Sequence, residues 1–501
     1  MHRLFSMSVT KLVFWITIAA VFAMAAQVSV DTDTWWHLRA GAWIWENRSV
    51  PQQDHFSYTR AGESWQYPGW LVEVPMYGLY QAFGPGGLNL WTAAMVTLAF
   101  WFVWQTLSGG PFLKAFVTIL AATASGVYWA ARPYLVTFVL AAVTLWILEK
   151  AVNGGRWTVG SGGWRERKGL WLLPSLMVVW ANSHGGFAVG FILWGVYFVS
   201  ALIRFAELKS FNVQTFKRSN VGTLLLIGLL MVLAVCINPS GPVMLLYPFK
   251  TVGIGALQEY IQEWQSPDFH QLQVQPFLWL LLFTLGAVGA SRKRLRWTEF
   301  FLVSGFAYLS FMAGRNIALF ALAAPMVLTR HAASLLQGVR ERWGIRQPAS
   351  GRVGVFRGKS ILNWTLLVLL ILAVVVKAAL VFPPKENEKV FRETLPVDAV
   401  EYIRQEEPEG RLFNSYNWGG YLLWALPAYP VFVDGRTDLY GDEIIDQWVR
   451  VVRAERGWQD VLDDWNIRLI LLEPYRPVVG HLKGEGWQLL YRDDVAVVYG
   501  R

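Results

Sequence analysis

Apolar runs long enough to span a bilayer recur along this chain. About 18 or more apolar residues bounded by charges or turn residues mark a membrane-crossing helix. Scanning on that basis places spans near 12–30, 88–107, 112–130, 133–151, 169–183, 186–203, 221–238, 275–290, 298–314, 317–336 and 361–382. The expected fold is therefore a polytopic α-helical membrane protein of about 11 spans. A mean hydropathy of +0.34 and a charged fraction of 16% agree, because soluble domains carry nearer a quarter charged residues.

Orientation follows from where lysine and arginine collect. With residues 1–11 cytoplasmic, one side of the membrane carries 23 Lys/Arg, including Arg292, Lys293, Arg294 and Arg296, and the opposite loops carry 6. The positive-inside rule then sets the N-terminus in the cytoplasm of an integral inner-membrane protein. An odd span count puts the tail, residues 383–501, outside, attached to a transmembrane domain of residues 1–382. Arg3, Lys11 and Ala23-Met24-Ala25 also fit a cleavable signal peptide, and either way Asp31 emerges outside.

The tail holds 14 Lys/Arg and 21 Asp/Glu, so the overall charge of +9 resides in the membrane domain and gives no ground for a nucleic-acid partner. Its β-rich runs Leu412–Asn414, Val431–Val433, Ile467–Leu472, Trp487–Tyr491 and Val495–Tyr499 alternate with helical patterns at 396–406, 418–426, 442–454 and 458–465. A C-terminal extracytoplasmic α/β domain is expected. The lone cysteine, Cys236, excludes an intrachain disulfide and any thiolate metal cluster.

Ionisable residues at a membrane boundary are costly and mark function by default. Here they gather on the external side: Asp31 and Asp33 after the first span, Arg132 between the third and fourth, Asn182 and His184 after the fifth, Asn238 after the seventh with Glu263 and Asp268 in the loop behind it, and Arg315 with Asn316 between the ninth and tenth. Each alone also fits a helix cap or a snorkelling anchor. The first external loop, 31–87, adds Glu63 and Glu73, and its segments Thr34–Trp45 and Trp70–Phe83 have the spacing of helices lying in the interface plane. In the tail, Trp418 and the polar run Asp434, Arg436 and Asp438 behind a strand are candidate sugar or acceptor contacts. Asp31-Thr32-Asp33 pairs two carboxylates, as a general base or a divalent-cation site requires.

The stretch Asp31-Thr32-Asp33-Thr34-Trp35-Trp36-His37, with Ser64-Trp65, Trp70-Leu71-Val72-Glu73, Arg132-Pro133, Ser183-His184-Gly185-Gly186, Asn238-Pro239-Ser240-Gly241-Pro242 and Arg315-Asn316, resembles bacterial membrane proteins of the GT-C glycosyltransferase superfamily. The resemblance implies a polyprenyl-phosphate-linked sugar donor, reaction at the external face, inversion at the anomeric carbon, and an acidic base or metal ligand just after the first span. Asp31 and Asp33 match that position. Asp33 is the expected base, with Asp31 orienting it or binding a cation such as Mg or Mn. Arg132, Arg315 and His184 are expected at the donor phosphate, and Glu63, Glu73, Asn182, Asn316, Trp418, Asp434, Arg436 and Asp438 at the sugar or acceptor. The oligosaccharyltransferase branch carries a Trp-Trp-Asp signature for which Tyr416-Asn417-Trp418-Gly419-Gly420-Tyr421 is only a distant echo, so the acceptor stays open among glycan, lipid and protein. Two other readings stand beside the transferase: a carrier or flippase for a lipid-linked saccharide, and a non-catalytic membrane protein of the same fold.

Overall fold

In the computed structural model, residues 7–66, 68–153, 168–207, 220–344 and 357–501 are described. A helix occupies each apolar segment of the sequence, from Val9–Ala25 through Arg357–Val381. Among the described residues six helices are long and apolar enough to cross a membrane, including Pro85–Thr106, Tyr134–Asn153 and Gly314–Arg342. Val9–Ala25, Lys168–Ala181, Val221–Val235 and Gln275–Ala290 are shorter apolar helices, so length and composition identify fewer spans than the expected eleven. Val221–Val235 stops before Asn238-Pro239, and the Asn238 amide folds back onto the Gly241 carbonyl at 3.3 Å.

The helical core packs Phe100, Phe138, Trp180, Tyr197, Phe277, Phe306 and Phe320 away from solvent, while Leu229, Leu233, Leu369 and Val376 face outward. Apolar residues on both sides of such helices are what lipid surroundings require.

The tail forms a four-stranded sheet of β1 (Arg411–Asn414), β2 (Ile467–Leu472), β3 (Gln488–Arg492) and β4 (Val497–Gly500), in the order β1-β2-β4-β3. Strands β1 and β2 are parallel, joined through the helices Tyr416–Ala425, Thr437–Val452 and Trp458–Asp464, and β4 runs antiparallel to both β2 and β3. Val431–Val433 is not a strand. Its backbone is satisfied instead by side chains: Asn414 receives the Phe432 amide at 2.8 Å and donates to the Val433 carbonyl at 2.8 Å, and Thr59 donates to the Phe432 carbonyl at 2.7 Å. An extended apolar run whose polar groups find such partners needs no ladder.

The first loop belongs to the same body as the tail. Its helices Thr34–Asn47 and Trp70–Phe83 bury Trp35, Leu38, Val72 and Met76 in one core with Val400, Leu422 and Leu469 of the tail. Arg436, wholly buried, pairs with Asp434 at 2.7 Å and with Asp54 of the loop at 2.6 Å, and lies over the rings of Trp65 and Phe56. Several loop aromatics thus pack against the tail rather than forming only a headgroup belt.

Candidate active site

Asp31 sits just before the helix Thr34–Asn47 and accepts the backbone amides of Asp33 at 2.9 Å and Thr34 at 3.1 Å. Those are donors that a helix start leaves unsatisfied, so a short acidic side chain there is locally favoured. Both of its oxygens also take the Arg132 guanidinium, through Nε at 2.6 Å and Nη2 at 2.5 Å. The remaining nitrogen of Arg132, Nη1, meets Asp33 Oδ2 at 2.8 Å and Glu263 Oε2 at 3.5 Å. Glu263 in turn pairs with Arg315 Nη1 at 3.3 Å, and Arg315 stacks over Trp264. The turn holding Arg315 is fixed to this loop by the Gly314 amide, 2.9 Å from the Gln265 carbonyl.

These groups border a cavity of 1010 Å³ between the helical domain and the tail. Asp33, Arg132, His184, Glu263, Arg315 and Asn316 line it from the helical side, and Tyr416, Asn417, Gly435, Thr437 and Asp438 from the tail. Tyr416 and Asn417 follow β1, at the carboxyl end of a strand where α/β folds place ligands. The tail approaches so closely that a Cβ at position 435 would overlap Asp33 Oδ1 and displace that carboxylate. At Gly420 a Cβ would come within 2.6 Å of the Thr32 carbonyl.

Burial raises the Asp33 carboxyl to about 7, more than Arg132 lowers it, with Asp31, Glu263 and Asp434 adding repulsion. A carboxylate in that range is basic enough to take a proton near neutral pH. His184 is pushed down to about 3 by burial and by the positive charges of Arg315 and Arg132, so its ring is neutral. Its Nδ1 accepts the Gly186 amide at 3.0 Å and lies 2.9 Å from the Thr137 hydroxyl, which leaves the ring proton on Nε2.

His37 and Glu73 form a second pair in the cavity wall, joined through His37 Nδ1 and Glu73 Oε1. Burial raises the Glu73 carboxyl well above its ordinary range and lowers His37 well below its own, so the two share a proton as neutral groups.

The other sequence candidates fall elsewhere. Glu63 is on the surface against Arg60, Trp418 is buried with its indole donating to the Thr394 carbonyl, and Asp434 and Arg436 form the buried ion pair behind the cavity wall. Asn182 braces a turn, donating to the Val178 and Ile237 carbonyls and accepting from Trp70. Asp31 itself stands behind Asp33, outside the cavity lining. His37, Gly435, Tyr416 and Thr137 also line the site; in the sequence His37 and Tyr416 stand out only as members of quoted stretches and Gly435 only as the residue between Asp434 and Arg436, while Thr137 carries no signal. Among the described residues no group of three or more His, Cys, Asp or Glu is placed to hold a metal ion. The acidic groups that gather here, Asp31, Asp33 and Glu263, surround a guanidinium, so the donor set does not fit a divalent cation.

No protein-family model and no curated protein sequence matches the chain. Solved structures do. The oligosaccharyltransferase AglB of Archaeoglobus fulgidus, in complex with an inhibitory peptide and a dolichol-phosphate, superposes with a TM-score of 0.57 at 10% identity, covering 93% of this chain and 70% of AglB. The A. fulgidus oligosaccharyltransferase tethered with an acceptor peptide gives 0.57 at 12% identity over 97% of this chain and 74% of the other. Its complex with Zn and sulfate gives 0.52 at 13% identity over 97% and 73%. The chain has the GT-C fold.

Proposed function

We propose that this GT-C chain is a membrane glycosyltransferase that moves a sugar from a polyprenyl-phosphate donor to an extracytoplasmic hydroxyl acceptor, with inversion. The observation that carries the reading is Asp33: a carboxylate raised to about 7 by burial, facing a large cavity and held by an arginine. In the proposed step Asp33 takes the acceptor proton as the acceptor oxygen attacks the anomeric carbon. The bond from that carbon to the phosphate oxygen breaks, and the phosphate leaves with the electron pair. Arg315, balanced among the described residues only by Glu263, and the neutral His184 Nε2–H are the donors assigned to the departing phosphate. Arg132, shared among Asp31, Asp33 and Glu263, acts as a positioning residue that aims Asp33. No step passes through a metal.

Apolar surfaces between the helices would take the prenyl chain, and the dolichol-phosphate named with AglB shows a lipid phosphate held by a protein of this fold. A carrier for a lipid-linked saccharide needs the groove and the cations but no base, and the raised Asp33 carboxyl favours the transferase. The test is product formation in lipid from labelled polyprenyl-phosphate sugars offered with glycan, lipid and peptide acceptors. An inverted glycosidic product is expected, and a product with retained configuration would overturn the direct displacement.

A further inference from the structure

The helix Trp297–Met312 ends one residue before Gly314 and Arg315, at the cavity described above, and starts at a second cavity of 490 Å³. Sixteen residues at about 1.5 Å each separate the two by roughly 24 Å. The second cavity is walled by Arg204, Arg294, Arg296 and Arg330, with one carboxylate, Glu207.

Its charges do not cancel. Arg296 pairs with Glu149 at 2.9 Å and Glu299 at 2.8 Å, and Arg330 pairs with Glu299 at 2.6 Å. Glu207 accepts the Trp297 indole at 3.2 Å. Among the described residues, Arg204 reaches only the neutral Asn153 amide oxygen at 3.0 Å, and exposed Arg294 has no carboxylate partner. Among the described residues four guanidinia thus face three carboxylates, and the buried Nε of Arg296 has no acceptor. Such a wall asks for an anion that offers several oxygens. The volume lies in the range of small-molecule sites. Trp297 and Phe300, both in the cavity wall, are 39% and 46% exposed, so the opening adjoins the outward apolar surface of the helix bundle, with the exposed Arg294 and Glu207 at its edge.

We infer that this cavity binds the phosphate headgroup of an anionic membrane phospholipid, with Arg204 and Arg294 as its free cations, at the end of the bundle opposite Asp33. The inference is independent of the glycosyltransferase reading. Full-length protein in neutral detergent is titrated with phosphatidylglycerol, phosphatidylcholine or inorganic phosphate, and bound lipid is counted by native mass spectrometry beside the thermal midpoint. Phosphatidylglycerol should be retained and raise the midpoint, phosphatidylcholine and inorganic phosphate should not. Each of Arg294→Gln and Arg204→Gln should weaken retention by about fivefold. Arg294 is exposed and unpaired, so R294Q tests the site without risk to the fold. Equal retention of the two lipids, phosphatidylglycerol binding unchanged in R294Q and R204Q, or equal protection by inorganic phosphate would each overturn it.

Discussion

Asp31 and Arg132, 101 residues apart, are locked by two hydrogen bonds of 2.5 and 2.6 Å, and the one guanidinium nitrogen left over reaches Asp33. The pair joins the exit of the first helix to the turn before Tyr134–Leu148, so two distant chain segments set the position of one carboxylate. Replacing Asp31 with alanine removes an acceptor shared by two backbone amides and a guanidinium, and should lower stability by about 2 kcal/mol in denaturant or thermal unfolding. It also removes a repelling charge and frees Arg132 to grip Asp33, so the acid limb of any activity profile should move to lower pH.

The Asp33 carboxyl predicts opposite pH trends for rate and stability. Folded Asp33 holds its proton to about 7, whereas its ordinary value is 3.8, so between these values the folded state binds the extra proton and stability falls as pH rises. Base-dependent turnover should rise through the same window, with a midpoint near the folded value. Neutral His184, pushed to about 3, contributes no inflection between pH 5 and pH 8 on this account. A profile of turnover against pH, with Asp33→Asn beside wild type for stability, checks both trends.

Gly435 is confined by Asp33 itself. Gly435→Ala places a methyl on Asp33 Oδ1 and forces the carboxylate to move. A displacement on the order of 1 Å is enough to reduce a positioned reaction about 100-fold. Turnover should fall to that extent while the protein still purifies as a folded species, which circular dichroism and size exclusion would report.

Arg436 fixes the loop between the first two apolar helices to the tail through Asp54 and Asp434, all three side chains wholly buried. Arg436→Leu leaves two buried carboxylates without a cation, a loss of about 3–5 kcal/mol. The loop around Asp54 should then become sensitive to limited proteolysis; unchanged protection would show that the apolar contacts of Phe56 and Trp65 alone hold it.

The apolar helices and the outline of the tail were legible because hydrophobic period and turn residues are local signals. Asp33, Arg132, His184 and Arg315 were also readable, as polar residues at successive helix ends on one side of the membrane. How they pair was not. Glu263 lies in a loop without a motif, and its bridge between Arg132 and Arg315 exists only after three chain segments meet. The same holds for Asp434 and Arg436, which look like a ligand loop in sequence yet find Asp54 nearly 400 residues upstream. Val431–Val433 reads as a strand by residue type, but the side chains of Asn414 and Thr59 supply its hydrogen bonds in place of a backbone ladder.

The most direct test of Asp33 as the base of a lipid-linked glycosyl transfer is the release of labelled polyprenyl phosphate from polyprenyl-phosphate sugars by purified protein in lipid, wild type beside Asp33→Asn. The account predicts release by wild type and a loss of about 100-fold or more in Asp33→Asn, with unchanged thermal stability at low pH, where the native carboxyl is already neutral. Equal release by the two proteins would contradict it.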